Sequence, residues 1–435
     1  MNSQHIPPRY IDRQTHGISG NLIPASAMKV LDRLTDAGFE TYLVGGGVRD
    51  LLLGREPKDF DIATAALPED VRKLFKNSRI IGRRFRLVHV RYGREIIEVA
   101  TFRAGVTEEE HDEHHQQLES GRVIRDNVFG NLEDDAWRRD FTVNALYYDS
   151  RSKSVIDHVN GFDDLQQGVL RLIGDPAQRF REDPVRMIRA VRFAAKLGFL
   201  IEEQAAQQIK QLGKLLLGVP PARMFDEVLK LFHAGYAVET FELLRHYDLF
   251  QYLFPESDEA LQKEDAATSL RLIHAGLTST DTRINENKPV TPAFLFACLL
   301  WPALQLNLPQ QRGSLFEAIT AATEQLMRVE RLHVTIPRRF STAMREIWSM
   351  QPRLERRQGK RSLRLLSHPR FRAAYDFLLL RNEASHELQE LCEWWTGFQV
   401  ADEATQHQML KGLPSPQGRR RRRPRGKKAT DVATD

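Results

Sequence analysis

Cysteine is nearly absent: Cys298 and Cys392 are the two in 435 residues. Two thiols cannot build a disulfide framework or a zinc cluster, and their scarcity fits a reducing cytoplasm. Long apolar runs are also missing. Nothing approaches the roughly 18 apolar residues of a membrane helix, so no integral membrane segment is expected. The first twenty residues, MNSQHIPPRYIDRQTHGISG, contain no apolar stretch of the kind a secretory signal needs. No internal repeat is found.

What is present describes a globular protein. Hydrophobic residues make up 41% and charged residues 28%, which excludes general disorder. The length allows two or three domains and a large core. The net charge of +5 is unevenly placed. The stretch GRRRRRPRGKK carries Arg419 to Arg423, Arg425, Lys427 and Lys428. Such a run repels itself and suits a polyanion. Nucleic acid is the expected partner, with an anionic membrane surface as the rival.

Residues 1–22 read as a flexible lead. IPASAMKVLDRLTDAGF predicts an amphipathic helix ending before Gly38. TYLVGGG predicts a short buried strand, VRDLLLG a helical turn, DFDIAT a strand and LPEDVRKLFK a helix. RFRLVHVRYGREIIEVATFR predicts two strands turning at Tyr92-Gly93. HDEHHQQLESGR reads as a mobile loop, and DFTVNALYYD returns to strand. From about residue 165 helical periodicity takes over. The expected fold class is therefore α+β, a small mixed sheet in a head followed by an all-α neck and body.

Three segments carry candidate chemistry. In KDFDIAT, Asp59 and Asp61 are two apart, so both face one side of a strand. Like charges this close raise one pKa unless a cation sits between them. The bland alternative is a solvated strand end. Gly45, Gly46 and Gly47 precede Arg49 between a strand and a helix, a place where backbone N–H groups can approach phosphate. This is neither P-loop nor GxGxxG spacing. In WRRDFTVNAL, Arg139 can grip a triphosphate through its fork, and Asp140, expected to open a strand, can join a metal site or bind a ribose hydroxyl.

The third segment is RFREDPVRMIRAVRFAAKLG. Pro184 suits the first helical position and Asp183 the N-cap. Arg186, Arg189 and Arg192 form one slanted stripe opposite Met187, Ala190, Val191 and Ala194. The stripe has no acidic partner four residues on. The alternative is a solvated basic face. HDEHH, His111 to His115, lacks metal-ligand spacing and reads as loop.

Taken together, LVGGGVRDLLLG…KDFDIAT, RRDFTVNAL and EDPVRMIRAVRFAAKLGF resemble the class II template-independent RNA nucleotidyltransferases, the superfamily of bacterial poly(A) polymerases and CCA-adding enzymes. IIGRRFRLVHV, PAFLFACLLW, RRQGKRSLRLLSHPRFRAAYDFLLLR and the basic tail resemble the poly(A) polymerase branch. The resemblance implies a polymerase-β-like head over residues 23–165, a helical neck with the nucleotide- and RNA-binding motif over 166–240, an all-α RNA-binding body over 241–412 and a disordered basic tail over 413–435. It implies transfer of AMP from ATP to RNA 3′ ends. Asp59 and Asp61 would bind Mg²⁺, with Asp140 or its rival Glu98 as third catalytic carboxylate. Gly46, Arg49 and Arg139 would hold the triphosphate, with Arg189 and Arg192 also on the nucleotide. Glu182, Asp183 and Arg186 match the motif that reads the base edge, so Asp183 has two candidate roles. A monomer is expected, with RNA-decay proteins as candidate partners. The alternatives are CCA addition to tRNA and a non-catalytic RNA-binding protein.

Overall fold

A computed structural model of the chain describes residues 7–82, 86–104, 128–264, 266–308, 314–330, 333–357 and 359–413. The HDEHH segment, part of IIGRRFRLVHV and the basic tail lie outside the described residues.

The head is an eight-stranded mixed sheet. Its strands are β1 (Arg9–Ile11), β2 (Thr41–Val44), β3 (Asp61–Thr64), β4 (Ser78–Ile81), β5 (Leu87–Tyr92), β6 (Glu95–Thr101), β7 (Leu146–Asp149) and β8 (Ser154–Asp157). They lie in the order β1-β8-β7-β2-β3-β6-β5-β4. All neighbours run antiparallel except β3 and β6, which are parallel. The helix Ala25–Asp36 covers one face because Ala27, Val30, Leu31 and Leu34 recur at helical spacing, and all four are fully buried. Burial of Val30, Leu31 and Leu34 contributes about 1.5–3 kcal/mol each.

Three expectations are corrected. Residues 1–22 are not a flexible lead throughout. From Arg9 the chain pairs β1 with β8, turns through the helix Arg13–His16 and buries Ile11, Ile18 and Ile23. The stretch is too short for a periodic signal, and its partner strand lies about 145 residues away. The predicted DFDIAT strand opens at Asp61, so Asp59 stands in the preceding loop. Asp140 does not open a strand either. It precedes a single 3₁₀ turn, Thr142–Asn144, and β7 begins only at Leu146.

Beyond the head the regular structure among the described residues is helical apart from the two-residue strands β9 (Val169–Leu170) and β10 (Leu200–Ile201), which pair in parallel. The main core runs from the head into the body. A second cluster gathers Leu354, Phe371, Trp395 and Phe398. Indole N–H groups buried in this region find acceptors, as polar tips must. Trp348 donates to the Ala297 carbonyl at 3.1 Å and Trp395 to the Leu354 carbonyl at 2.9 Å. Cys298 and Cys392 are buried free thiols. No helix among the described residues is long and apolar enough to cross a membrane.

Candidate active site

The glycines of GGG work by letting neighbours close in. Gly45 takes φ +74°, a conformation that side chains rarely adopt, and turns β2 into the helix Gly46–Leu52. A Cβ on Gly47 would stand 3.1 Å from the Asp59 carbonyl. Gly47 therefore lets the loop bearing Asp59 pack on the helix. Gly46, expected on the triphosphate, opens the helix, and a Cβ there would stand 3.5 Å from Arg49 Nη2.

Asp61 is the first residue of β3 and is in register with Glu98 on parallel β6. Paired residues in a parallel ladder present side chains to the same face. Burial pushes the Asp61 carboxyl up to about 6, and the charges of Glu98 and Asp59 add to the rise while Arg139 opposes it. Glu98 accepts from or pairs with His89 Nε2 at 3.1 Å. Asp59 is exposed.

Arg49 is 2% exposed and its fork is taken. It donates to Asp50 through Nε at 2.8 Å and Nη2 at 2.6 Å, and to Asn144 Oδ1 through Nη1 at 2.6 Å. Arg139 is similarly engaged, with Nη2 on Asp135 at 2.9 Å and Nε on the Tyr147 hydroxyl at 3.0 Å. Asp135 is buried and also accepts from Tyr147 at 2.8 Å. Its burial would raise its pKa, but Arg139 and Arg138 overcome that and hold the carboxyl low.

Asp140 sits in the opposite environment from Asp61. It accepts from Arg189 Nε at 2.9 Å, from its neighbour Phe141 N–H at 2.9 Å and from Asn144 Nδ2 at 3.3 Å. Burial alone would push its pKa up, and the Arg189 guanidinium pulls it below the usual range.

The arginine stripe is only partly as expected. The helix runs Val185–Leu197, with Pro184 as its cap residue rather than its first turn. Asp183 Oδ1 accepts from the Val185 N–H at 3.3 Å, a capping contact, and Oδ2 from Arg223 Nη2 at 2.7 Å. The stripe is not without acids. Arg186 meets Glu182, four residues before it, at 2.8 Å, and Arg189 holds Asp140. These partners lie upstream and across the chain, where spacing to the fourth residue downstream carries no signal. Arg192 differs: its buried Nε has no hydrogen-bond partner, and its guanidinium lies 4.4 Å over the Phe193 ring. Burial, followed by the nearby Arg189 charge, lowers its pKa.

Two residues missed by the sequence reading tie the site together. Arg179 donates through Nη2 to the carbonyls of Arg138 at 2.8 Å and Arg139 at 2.6 Å, which fastens the helix Pro176–Glu182 to the head. Asn144 bridges Arg49 and Asp140. Neither carries a motif signal beyond its place beside one.

Among the described residues no group of three or more His, Cys, Asp or Glu side chains stands ready to hold a metal ion. The oxygen donors present, a carboxylate pair open to solvent on one side, fit Mg²⁺. That ion is commonly held by one or two carboxylates plus substrate phosphate and water, without an all-protein cage.

Three family models match the chain: the poly A polymerase head domain over 41–171, the probable RNA and SrmB-binding site of polymerase A over 198–261, and the polymerase A arginine-rich C-terminus over 311–428. Poly(A) polymerase I of Escherichia coli is 50% identical over 425 residues, covering 95% of this chain and 91% of that one. A CCA-adding enzyme of Lactobacillus helveticus is 42% identical over 217 residues, 50% of this chain and 52% of that one. Among solved structures, the Bacillus stearothermophilus CCA-adding enzyme in complex with CTP superposes with a TM-score of 0.55 at 26% identity, over 85% of this chain and 80% of that one. The CCA-adding likeness in sequence thus stops at half the chain, while the other continues through the body. On that full-length identity, the chain belongs to the poly(A) polymerase I family of nucleotidyltransferases.

Proposed function

We propose that this nucleotidyltransferase adds AMP from ATP to RNA 3′ ends without a template and releases pyrophosphate. The observation that carries the reading is the 50% identity to poly(A) polymerase I over 95% of the chain, and the placing of Asp61 in register with Glu98 beside Asp59 supports it. Carboxylates gathered on the central strands β3 and β6 and the loop before them are costly unless a cation serves them. Asp59 and Asp61 would hold Mg²⁺, which when bound would ease ionisation of the RNA 3′-OH and offset phosphate charge. Glu98, in register with Asp61, is the better-supported third carboxylate. Asp140 then serves as the anchor of Arg189.

The residues of the chain contribute positioning and charge, which dominate phosphoryl transfer. Arg192 offers an uncommitted buried N–H toward the triphosphate. Arg49 and Arg139 supply positive charge from fixed positions around the Gly45–Gly47 turn. Arg186 spends Nη1 on Glu182 and the Arg179 carbonyl, which leaves its remaining donors for the ring-nitrogen acceptors of adenine. Asp183 faces the N6 amino group in this reading. The head spans 23–165 with the added strand β1, the neck 166–240, and the RNA-binding body 241–412. A monomer in a reducing cytoplasm suits two buried free thiols.

The test is purified protein with a short RNA, Mg²⁺ and each nucleoside triphosphate in turn. A long ladder with ATP alone is expected. A stop after C-C-A would replace the reading with tRNA maturation, and absence of extension would leave RNA binding only.

A further inference from the structure

The body carries a cleft that the site above does not use. It lies between the helices Leu315–Glu330 and Arg338–Glu355, is open to solvent on one side and has a volume of about 640 Å³. Clefts that take small ligands run from about 300 to 1,000 Å³. It falls outside residues 198–261, the stretch matched as a probable RNA-binding site, and inside 311–428, matched as the arginine-rich C-terminus, in the body proposed above to bind RNA.

Its chemistry is divided. Ile319, Met327 and Ile336 form an apolar floor, each at most 9% exposed. Arg338 and Arg345 stand on one face of the second helix, seven residues and so about 10.5 Å apart along its axis. Neither has an ion-pair partner among the described residues, and Arg345 Nε is buried without any hydrogen-bond partner. The acid beside them, Glu346, is taken up by Arg370 at 3.2 Å. Glu324 lies on the facing helix.

The hydroxyls complete the pattern. Thr320, Thr323 and Ser349 donate their hydrogens to helix carbonyls at 2.9, 2.6 and 3.1 Å. Their lone pairs are left as acceptors. The cleft therefore offers guanidinium donors for an anion, acceptors for hydroxyl or amino hydrogens, and an apolar surface for a flat ring. Inorganic phosphate would use only the first of these.

We propose that this cleft is a second nucleotide subsite. It takes a nucleoside monophosphate unit with its phosphate on Arg345, its ribose or amino hydrogens on the hydroxyls and its base on the Ile319–Met327–Ile336 floor. The unit can come from the RNA being extended or from a free nucleotide. The RNA source rests on the polymerase reading above.

The experiment uses full-length protein, a fluorescein-labelled oligo(A) strand followed by anisotropy, and radiolabelled AMP in equilibrium dialysis. Arg345→Gln is expected to weaken oligo(A) binding about fivefold to tenfold, as loss of a charge-assisted contact does. It should also reduce the salt slope by about 0.7, one phosphate's share on a single strand. Arg345→Lys should restore the slope but not the full affinity, because a point charge lacks the fork. Thr320→Trp, at an exposed position on the rim, should block the cleft without altering charge, and it keeps the test valid if Arg345→Gln fails to fold. Loss of oligo(A) affinity with unchanged AMP binding assigns the RNA source. A fall in AMP stoichiometry from two to one assigns the free nucleotide. Unchanged oligo(A) affinity, salt slope and AMP stoichiometry in both variants would overturn the subsite. Extension by the wild type on saturating RNA is scored separately, so failure of the polymerase reading is seen apart from failure of the cleft.

Discussion

Asp61 and Asp140 were expected to serve one site, yet the fold treats them in opposite ways. Asp61 stands beside Glu98 and Asp59, and its pKa rises to about 6. Asp140 stands beside Arg189, and its pKa falls. Burial pushes both upward; at Asp61 the charges of Glu98 and Asp59 add to that rise, while at Asp140 the Arg189 charge and the hydrogen bonds from Arg189, Asn144 and Phe141 outweigh it. A carboxylate left among like charges is poised for a cation. One already paired with a guanidinium has its charge met within the protein.

The largest expected effect breaks the first half of this contrast. Asp59→Ala and Asp61→Ala should each reduce RNA extension by about a thousandfold or more, the scale on which preorganised charge stabilises a transition state. RNA affinity should stay nearly intact in a filter-binding assay. Near wild-type extension by either variant would remove the pair from the metal role.

The second half is tested by stability. Asp140→Asn should destabilise the protein by about 3 kcal/mol, since it leaves the Arg189 charge without its partner. Denaturant melts would show a lower midpoint. The pH dependence has the matching sign: the Asp140 contribution is present above the unfolded carboxyl pKa of about 3.9 and is lost as pH falls through the lower folded value.

Asp61 should behave inversely. Its folded pKa lies above its unfolded one, so the native state binds the extra proton, and stability falls as pH rises from about 4 to about 6. Asp61→Asn should then stabilise the metal-free protein at pH 7 by on the order of 2 kcal/mol while extension is lost. Glu98→Gln should lower the Asp61 pKa in the metal-free protein, read by NMR titration of the carboxyl carbon, because one of the charges raising it is gone. A melting midpoint for Asp61→Asn below that of the wild type would cancel the contrast.

Arg186→Ala sharpens the comparison from the side of the base. Loss of a base-edge contact should reduce discrimination of ATP over CTP by about 1–3 kcal/mol, read as the ratio of kcat/KM values. An unchanged ratio would return Arg186 to the structural role its Glu182 contact already describes.

The smallest effect concerns the tail, whose composition is all that bears on it. Residues 419–428 hold eight positive charges. Deleting 414–435 should flatten the salt dependence of RNA binding by roughly two to four units of slope, or three to six phosphates at about 0.7 each. The chemical step on saturating RNA should be unchanged. Identical slopes would turn the tail toward a membrane or protein partner.

Much of this was legible in the chain. The helix over Ala25–Asp36, the strand pair around Tyr92-Gly93 and the helix over Val185–Leu197 all follow from local period and from glycine or proline at the ends. These signals are local because side-chain direction repeats every two or 3.6 residues. The candidate residues were local too, since Asp59-Asp61 and Glu182-Asp183-Arg186 are read as short motifs. What no local pattern could determine was which charge each group meets. The pairing of Asp61 with Glu98 depends on a parallel register across 37 positions, that of Asp140 with Arg189 on a contact across 49, and that of Asp183 with Arg223 on one across 40. Coulomb interactions act through space and not along the chain, so the division of like residues into poised and neutralised groups was left to the tertiary structure.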